Sequence, residues 1–164
     1  MKRSFLRFGL ALAAALTCAT LAHAEAAKKP TLDVKTLDGA KFDLAAQHGK
    51  WVIVNFWATW CSPCIKEMPD ISQFVSGRSD VVAIGLAIGG EELDDVTEFL
   101  GKHPVKYPIA NIPIDDPPKD FGAPKGLPTT YLIAPDGSIA KKFMGPVTSQ
   151  DLDQAITAAG KTAT

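Results

Sequence analysis

Two long hydrophobic runs mark buried strands in the middle of the chain. Residues 51–57, WVIVNFW, and residues 81–88, VVAIGLAI, consist almost entirely of β-branched, aliphatic or aromatic side chains. Unbroken runs of this kind are typical of strands that are covered on both faces, whereas half-exposed strands alternate polar and apolar positions. We therefore predict a central sheet that includes both segments.

Helical spacing follows each of these strands. Downstream of the first strand, apolar residues recur at intervals of four, three and four and predict the inner stripe of a helix: Cys64, Met68, Ile71 and Val75. Residues 91–102, EELDDVTEFLGK, concentrate acidic side chains in a first helical turn, where the helix dipole favours them. Near the end of the chain, Thr148 to Asp151 resemble a capping box that starts a last helix, whose inward residues are expected to be Leu152, Ile156 and Ala159.

Turn signals join the remaining strands. Asp38-Gly39 separates residues 31–34 from residues 41–44, which predicts a short N-terminal hairpin. A Pro-Asp-Gly turn at residues 135–137 separates two further strands of an antiparallel pair. Residues 103–128 hold seven of the 12 prolines and are predicted to form a surface connection with at most one short strand, at 107–110. The order of elements predicts an α/β fold with one mixed central sheet.

The first 24 residues have the pattern of a secretory signal peptide. A basic stub precedes an uncharged run rich in alanine and leucine, and Ala22-His23-Ala24 provides a cleavage site before Glu25. We therefore predict a signal peptide at 1–24, one domain at 25–164 and a periplasmic location. An uncleaved anchor is less favoured because the run is short, and a lipid anchor is less favoured because the residues before Cys18 match a lipoprotein signal poorly.

Net charge and cysteine count limit the classes of partner and the roles that the cysteines can have. The leader carries three of the 17 basic residues and none of the 18 acids, so the rest of the chain has a formal charge of −4, which argues against nucleic acid as a partner. Cys61 and Cys64 are the only cysteines outside the leader. A disulfide between them would close a very short loop and add little stability, so a purely structural disulfide is disfavoured.

The segment NFWATWCSPCIKEMP, residues 55–69, places the cysteine pair where the first buried strand passes into its helix. Cys61 stands at the helix start, where free N–H groups and the helix dipole stabilise a thiolate and lower its pKa. Cys64 lies one turn further in, and Pro63 suits an early helical position because the N–H it lacks would have no partner there. This arrangement predicts an exposed attacking thiol, Cys61, and a shielded resolving thiol, Cys64.

At these residues the chain resembles the TlpA/ResA-like family of thiol–disulfide oxidoreductases in the thioredoxin superfamily. The segments VIVNFWATWCSPCIKEMP and GLPTTYLIAPDGSI are similar to its two signatures. The resemblance implies a thioredoxin-like fold, with the predicted hairpin preceding a mixed sheet flanked by helices. It also implies that Pro128 follows a cis peptide and faces the cysteines, and that the backbone of Leu127 pairs with a substrate strand. With Trp60 and Thr129, these residues form the predicted substrate-binding set.

The resemblance also implies partners and a direction of electron flow. Clients are expected to be proteins with disulfides, such as apocytochromes c or the copper-site cysteines of a respiratory oxidase. A membrane thiol donor of the DsbD/CcdA type is expected to keep the cysteines reduced. No cofactor and no metal site are predicted, and the protein is expected to act as a monomer. Reductants and oxidants share this fold, so the direction stays open between them.

One position departs from thioredoxin and directs attention to Glu67. Thioredoxin has a buried aspartate in the strand before its cysteines, whereas Asn55 stands there in this chain. Asparagine cannot exchange a proton, yet Cys64 must lose one to resolve a mixed disulfide. Glu67 lies three residues after Cys64 on the same helix face and is the predicted catalytic base. The alternative is a solvated surface glutamate.

Two other functions remain as alternatives. A copper chaperone on the same fold would use the cysteines as soft ligands for Cu(I), although such carriers have three residues between their cysteines and a remote histidine. A thiol peroxidase would need a Thr-x-x-Cys turn with an arginine nearby, and Arg78, the only arginine after the leader, is distant in sequence. The remaining polar candidates are expected to lie at the surface: His48, His103, Asp115 and Asp116.

Overall fold

The structure is a computed structural model that describes residues 29–89 and 92–162. The predicted signal peptide, 1–24, lies outside the described residues. An N-terminal hairpin pairs β1 (Asp33–Lys35) with β2 (Lys41–Asp43), as the Asp38-Gly39 turn predicts. A short 3-10 helix, Ala45–Gln47, leads from the hairpin toward the main sheet.

The main sheet has five strands in the order β5-β4-β3-β6-β7. They are, in chain order, β3 (Trp51–Trp57), β4 (Val81–Ile88), β5 (Ile109–Ile112), β6 (Thr129–Ile133) and β7 (Ile139–Met144). β3, β4 and β5 are mutually parallel, while β6 is antiparallel to both β3 and β7. The mixed sheet is therefore confirmed, with β3 at its centre.

Among the described residues, three helices accompany the sheet: α1 (Ser62–Ser76), α2 (Leu93–Lys102) and α3 (Ser149–Thr162). The predicted capping box at the start of α3 is present, because the Thr148 N–H donates to the Asp151 carboxylate at 2.9 Å and the Asp151 N–H donates to Thr148 Oγ1 at 3.2 Å. Leu152 is fully buried as predicted, while Ile156 and Ala159 are only half-buried and Ala155 fills the remaining inner position.

One strand differs from its predicted position. The short strand expected at 107–110 is found at Ile109–Ile112, where it pairs in parallel with the end of β4. The shift follows from Pro108, which has no N–H to give to a ladder, while its carbonyl accepts from the Gly85 N–H at 2.9 Å. The strand therefore begins just after this proline.

The two faces of the sheet are covered by different layers. Apolar residues of all three helices pack on one face, around Ile53 and Trp57 of β3. The hairpin and the connection between β5 and β6 cover the other face, around Val54 and Phe56. The cysteines and Glu67 are on α1, so the helix-covered face is the one that carries the candidate chemistry.

Candidate active site

Cys61 caps the helix that carries the second cysteine. It is the N-cap residue of α1, with extended backbone, and its Sγ accepts a hydrogen bond from the Cys64 N–H at 3.3 Å. The two cysteines are joined by a disulfide, with their Cα atoms 5.2 Å apart. Pro63 occupies the first turn of the helix, as predicted. When the disulfide is reduced, this backbone N–H and the helix dipole favour a negative charge on Cys61.

The cysteines differ less in exposure than the sequence predicted. Cys61 is 4% exposed and Cys64 is 0% exposed, so both are buried. The expected order holds, but the prediction of an exposed Cys61 is wrong for the disulfide form. Both side chains belong to the helix-side apolar cluster, against which Leu127 also packs. A client disulfide therefore has to approach a sulfur atom within a largely apolar surface.

Glu67 is a buried acid whose carboxyl group accepts two hydrogen bonds. Its side chain is 3% exposed and lies on the inner stripe of α1 between Cys64 and Ile71. Oε1 accepts from Asn55 Nδ2 at 2.7 Å, and Oε2 accepts from the Val147 N–H at 2.8 Å. Desolvation raises the pKa of Glu67 to about 7, although these two hydrogen bonds act in the opposite direction. The alternative of a solvated surface glutamate is therefore wrong.

Asn55 links Glu67 to the strand that follows Pro128. Asn55 is fully buried and stands opposite Thr130 in the register between β3 and β6. Its Nδ2 donates to Thr130 Oγ1 at 2.9 Å as well as to Glu67. Sequence reasoning missed Thr130 and Val147, which lie 75 residues from Asn55 and 80 residues from Glu67, respectively. No local pattern indicates contacts over such separations.

The loop before β6 reaches the cysteine end of the sheet. The Leu127–Pro128 peptide is cis, and Thr129 is paired in register with Phe56, close to where β3 leaves for Cys61. The Pro128 carbonyl accepts from the Gly145 N–H at 2.9 Å, and Thr129 Oγ1 donates to the Gly126 carbonyl at 2.7 Å. These bonds fix the loop, and Leu127 remains half-buried beside it.

The two tryptophans beside the cysteines differ in burial. Trp57 is fully buried, with its ring centroid 5.5 Å from that of Phe99, while Trp60 is 66% exposed next to Cys61. The four polar candidates expected at the surface are exposed: His48, His103, Asp115 and Asp116. Within residues 29–89 and 92–162, no group of three or more His, Cys, Asp or Glu side chains could hold a metal ion.

Taken with the fold, this geometry defines a class of protein. A five-stranded mixed sheet delivers a Cys-x-x-Cys pair at the start of a helix, and a cis-proline loop lies at the same end of the sheet. Two cysteines that form a disulfide in this setting can exchange two electrons with another dithiol or disulfide. The class is that of the thioredoxin-like thiol–disulfide oxidoreductases.

Comparisons with known proteins identify the family. The family model described as Redoxin matches residues 23–156. Thiol-disulfide oxidoreductase ResA of Bacillus thuringiensis (strain Al Hakam) is 34% identical over 127 residues, which are 76% of this chain and 72% of that protein. The ResA protein of Bacillus subtilis (strain 168) is 31% identical over 163 residues, which are 90% of this chain and 88% of that protein.

A solved structure agrees with these sequence relatives. The crystal structure of a thiol:disulfide interchange protein of the thioredoxin family from Chlorobium tepidum TLS matches with a TM-score of 0.69 at 29% identity, over 81% of this chain and 95% of that one. The chain therefore belongs to the Redoxin family, as a ResA/TlpA-like thiol–disulfide oxidoreductase of the thioredoxin superfamily.

Proposed function

We propose that this protein is an exported reductase of protein disulfides, in which Cys61 attacks the client and Cys64 releases it. The proposal rests on the position of Cys61 Sγ at the start of α1, where it accepts a hydrogen bond from the Cys64 N–H. The Cys61 thiolate attacks one sulfur of a client disulfide, and the other client sulfur leaves as a thiolate. Cys64 then loses its proton and attacks Cys61, which re-forms the Cys61–Cys64 disulfide and releases the second client thiolate. Two electrons pass from the protein to the client.

In this proposal, Glu67 receives the proton that Cys64 must lose. It lies one turn beyond Cys64 on the buried face of α1, so no second element has to move to bring it there. Its pKa of about 7 means that the carboxyl group can both take and return a proton near neutral pH. Glu67 would therefore act as a base during client reduction and as an acid when the pair is reduced again.

The proposed client surface surrounds the cysteines. Trp60 offers an exposed indole beside Cys61, which suits contact with an apolar part of a client. Leu127 and Pro128 end the loop before β6, and Thr129 begins that strand, at the same end of the sheet. An extended client segment would add its backbone to Leu127, in the manner of β-strand addition to a free edge.

Export and partners rest on the leader pattern and on the family. Residues 1–24 match a secretory signal, which would place the domain in the periplasm, where thiols need a dedicated supply of electrons. In the part of the chain that the structure describes, no helix has the length and hydrophobicity to cross a membrane. The proposed partners are a membrane thiol donor of the DsbD/CcdA type and disulfide-bearing clients such as apocytochrome c or copper-site cysteines. The protein would act on them as a monomer.

Trapping of mixed disulfides tests the roles of the two cysteines. Cys64→Ala should accumulate covalent complexes with disulfide-bearing clients, because the resolving thiol is gone, and dithiothreitol should release them. Cys61→Ala, the matched control, should trap none. Complexes that form through Cys64 in the Cys61→Ala variant, with none in the other variant, would reverse the assignment.

The reduction potential tests the direction of electron flow. A reductase should have a potential near that of thioredoxin, about −270 mV, whereas an oxidant should approach the value of DsbA, about −120 mV. The potential can be measured by equilibration with glutathione or dithiothreitol buffers at pH 7. A potential close to that of DsbA would contradict the proposed reductase function and leave the oxidoreductase class intact.

A further inference from the structure

Among the described residues, Asn55 is the only one whose side chain donates a hydrogen bond to the buried Glu67 carboxyl group. The other contact, from Val147, comes from a backbone N–H. Asn55 is 0% exposed, in the middle of an otherwise apolar and aromatic strand. Its Nδ2 has two acceptors, on Glu67 and Thr130, whereas its Oδ1 is buried with no hydrogen-bond partner among the described residues. A buried carbonyl oxygen without a partner is unfavourable.

The unpaired Asn55 Oδ1 can serve as a hydrogen-bond acceptor when Glu67 gains a proton. A carboxylate only accepts hydrogen bonds, and the Asn55 amide nitrogen donates to it. A protonated carboxyl group has an O–H to donate, for which the amide nitrogen is the wrong neighbour. A half-turn of the amide would bring Oδ1 to Glu67, and the Thr130 hydroxyl, which can accept or donate, could then donate to the same oxygen.

We propose that Asn55 and Thr130 form a reversible hydrogen-bond relay that positions the Glu67 proton, with the amide donating to the carboxylate and turning over to accept from the carboxylic acid. Asn55 is thus a positioning residue that acts through Glu67. The proposal rests on the role proposed for Glu67 and explains how one buried site can hold either protonation state. In either state the amide atom that faces Glu67 and Thr130 is matched to them, and the other amide atom occupies the unpaired position.

The chemistry of alternative residues at position 55 supports this assignment. An aspartate would place a second carboxyl group against Glu67 Oε1, where two negative charges could not both persist. An aliphatic residue would remove a donor and leave the carboxylate with the Val147 N–H alone. An amide avoids both problems because it is uncharged and carries a donor and an acceptor on one group.

Few other titratable groups face this triad. Cys61 and Cys64 lie on the same helix as Glu67, and in the disulfide form neither titrates. Tyr107, which precedes β5, is buried, and burial together with the Glu67 charge raises the pKa of its hydroxyl group. Tyr107 therefore stays neutral throughout the range in which Glu67 titrates. The pKa of Glu67 is set by desolvation and by the donors on Val147 and Asn55.

A titration of the unaltered disulfide form tests the relay directly. The Glu67 side-chain carboxyl carbon and the Asn55 side-chain amide can be followed by NMR from pH 5 to pH 9. We expect both signals to shift with one common midpoint near 7, because the amide changes partners when the carboxyl group loses its proton. An Asn55 amide signal that stays constant while Glu67 titrates would overturn the proposal.

Three variants and a control refine the test. Asn55→Leu should raise the Glu67 midpoint by about one pH unit, because both hydrogen bonds are lost and the one donated to the charged carboxylate is stronger than the one accepted from the neutral acid. Asn55→Asp, which keeps the shape if the first variant fails to fold, should split the titration into two steps. Thr130→Val should give a smaller upward shift. Ser72→Ala removes a hydrogen bond on the same helix, to the Lys106 N–H, and should leave the midpoint unchanged. Unshifted midpoints in all three triad variants would contradict the relay.

This titration does not depend on client reduction. If Asn55 variants shift the Glu67 midpoint while the wild-type protein fails to reduce clients, the relay stands and the proposed reductase function fails. If the protein reduces clients and the Asn55 amide is insensitive to the Glu67 charge, the function stands and the relay fails. The two proposals therefore have separate outcomes.

Discussion

The two faces of β3, a strand of seven residues, differ in whether the polar groups buried there have hydrogen-bond partners. On one face, Phe56 packs against Phe121 and Tyr131, with ring centroids 6.0 Å from each. The Tyr131 hydroxyl donates to the Phe121 carbonyl at 3.3 Å, so this layer buries its polar group with a partner. On the other face, Asn55 Oδ1 and Trp57 Nε1 are buried without a partner among the described residues, next to a buried carboxyl group.

Alternation along the strand makes this division possible. Successive side chains of a β-strand point to opposite faces, so one short segment can bury only paired polar groups on one face and leave individual polar atoms unpaired on the other. Local departures from good packing and full hydrogen bonding are concentrated at functional sites, and stability has to come from elsewhere. We therefore expect Phe56 on the hairpin-side face to contribute mainly to stability and Asn55 on the helix-side face to serve the chemistry. The following predictions test that division.

The largest effect is expected for Cys61→Ser, which should abolish turnover of any disulfide substrate. The serine hydroxyl can still accept the Cys64 N–H at the helix start, so the fold should persist. Loss of the disulfide should lower the free energy of unfolding by at most about 2 kcal/mol, since the loop it closes is very short. Activity assays and urea denaturation check both parts. Global unfolding of this variant would place a major share of stability on the helix-side face.

Phe56→Ala should lower the free energy of unfolding by about 3–5 kcal/mol, because a fully buried ring would leave a cavity between two aromatic neighbours. The rate of client reduction per folded molecule and the reduction potential should stay the same. Phe56→Leu serves as a milder control. A changed potential in folded Phe56→Ala protein would show that the two faces of β3 are coupled.

Glu67→Gln should remove a pH dependence of stability. The pKa of Glu67 rises from an ordinary 4.5 to about 7 on folding, so the folded state holds this proton more tightly. Its contribution is fully present below pH 4.5 and is lost as the pH rises through 7, a change of about 3 kcal/mol. Urea denaturation of the disulfide form at pH 5 and pH 8 should show the loss in wild type and not in Glu67→Gln.

The same variant should also change the thiols. Removing a nearby carboxylate should lower the thiol pKa values, shift the reduction potential and flatten the pH profile of client reduction. Asp70→Asn changes an acid on the same helix outside the buried stripe and should alter none of these. Thiol pKa values and a pH profile identical to wild type in Glu67→Gln would exclude Glu67 as the base.

The smallest effect on stability is expected for Trp60→Ala. Because this indole is 66% exposed, the free energy of unfolding should change by no more than about 0.5 kcal/mol. If Trp60 contacts clients, KM for a protein disulfide should rise by up to about tenfold. The rate with a small aromatic disulfide reagent should be unaffected. An unchanged KM for protein clients would remove Trp60 from the docking surface.

Much of the fold follows from local sequence patterns. The strands around residues 51–57 and 81–88, the hairpin turn and the start of α3 were all predictable, because periodicity and turn residues act over a few positions. The start of β5 was wrong by two residues, because it depends on where Pro108, which cannot donate to a ladder, meets β4. The packing of all three helices on one face depends on strand order, which local patterns do not encode.

The site divides in a similar way. The Cys-x-x-Cys pair and the shared face of Cys64 and Glu67 could be predicted from spacing along a single helix. The hydrogen bonds from Asn55 and Val147 could not, since they depend on how β3 and the segment before α3 meet α1. The raised pKa of Glu67 is therefore a tertiary property, and sequence spacing alone left a solvated glutamate as an open alternative.

The distance along the chain between Glu67 and Val147 has a consequence for the order in which the enzyme becomes active. Both cysteines and their helix start are complete early in the sequence, but a donor to Glu67 comes from 80 residues further on. We expect contacts of such long range to form late, because closing the intervening loop costs entropy before the contact can stabilise the chain. A partly folded chain would thus carry an accessible pair of thiols without a tuned acid. The hydrogen bonds to Glu67 would therefore be complete only once the segment before α3 has docked. Redox activity with a tuned acid would thus be limited to fully folded molecules.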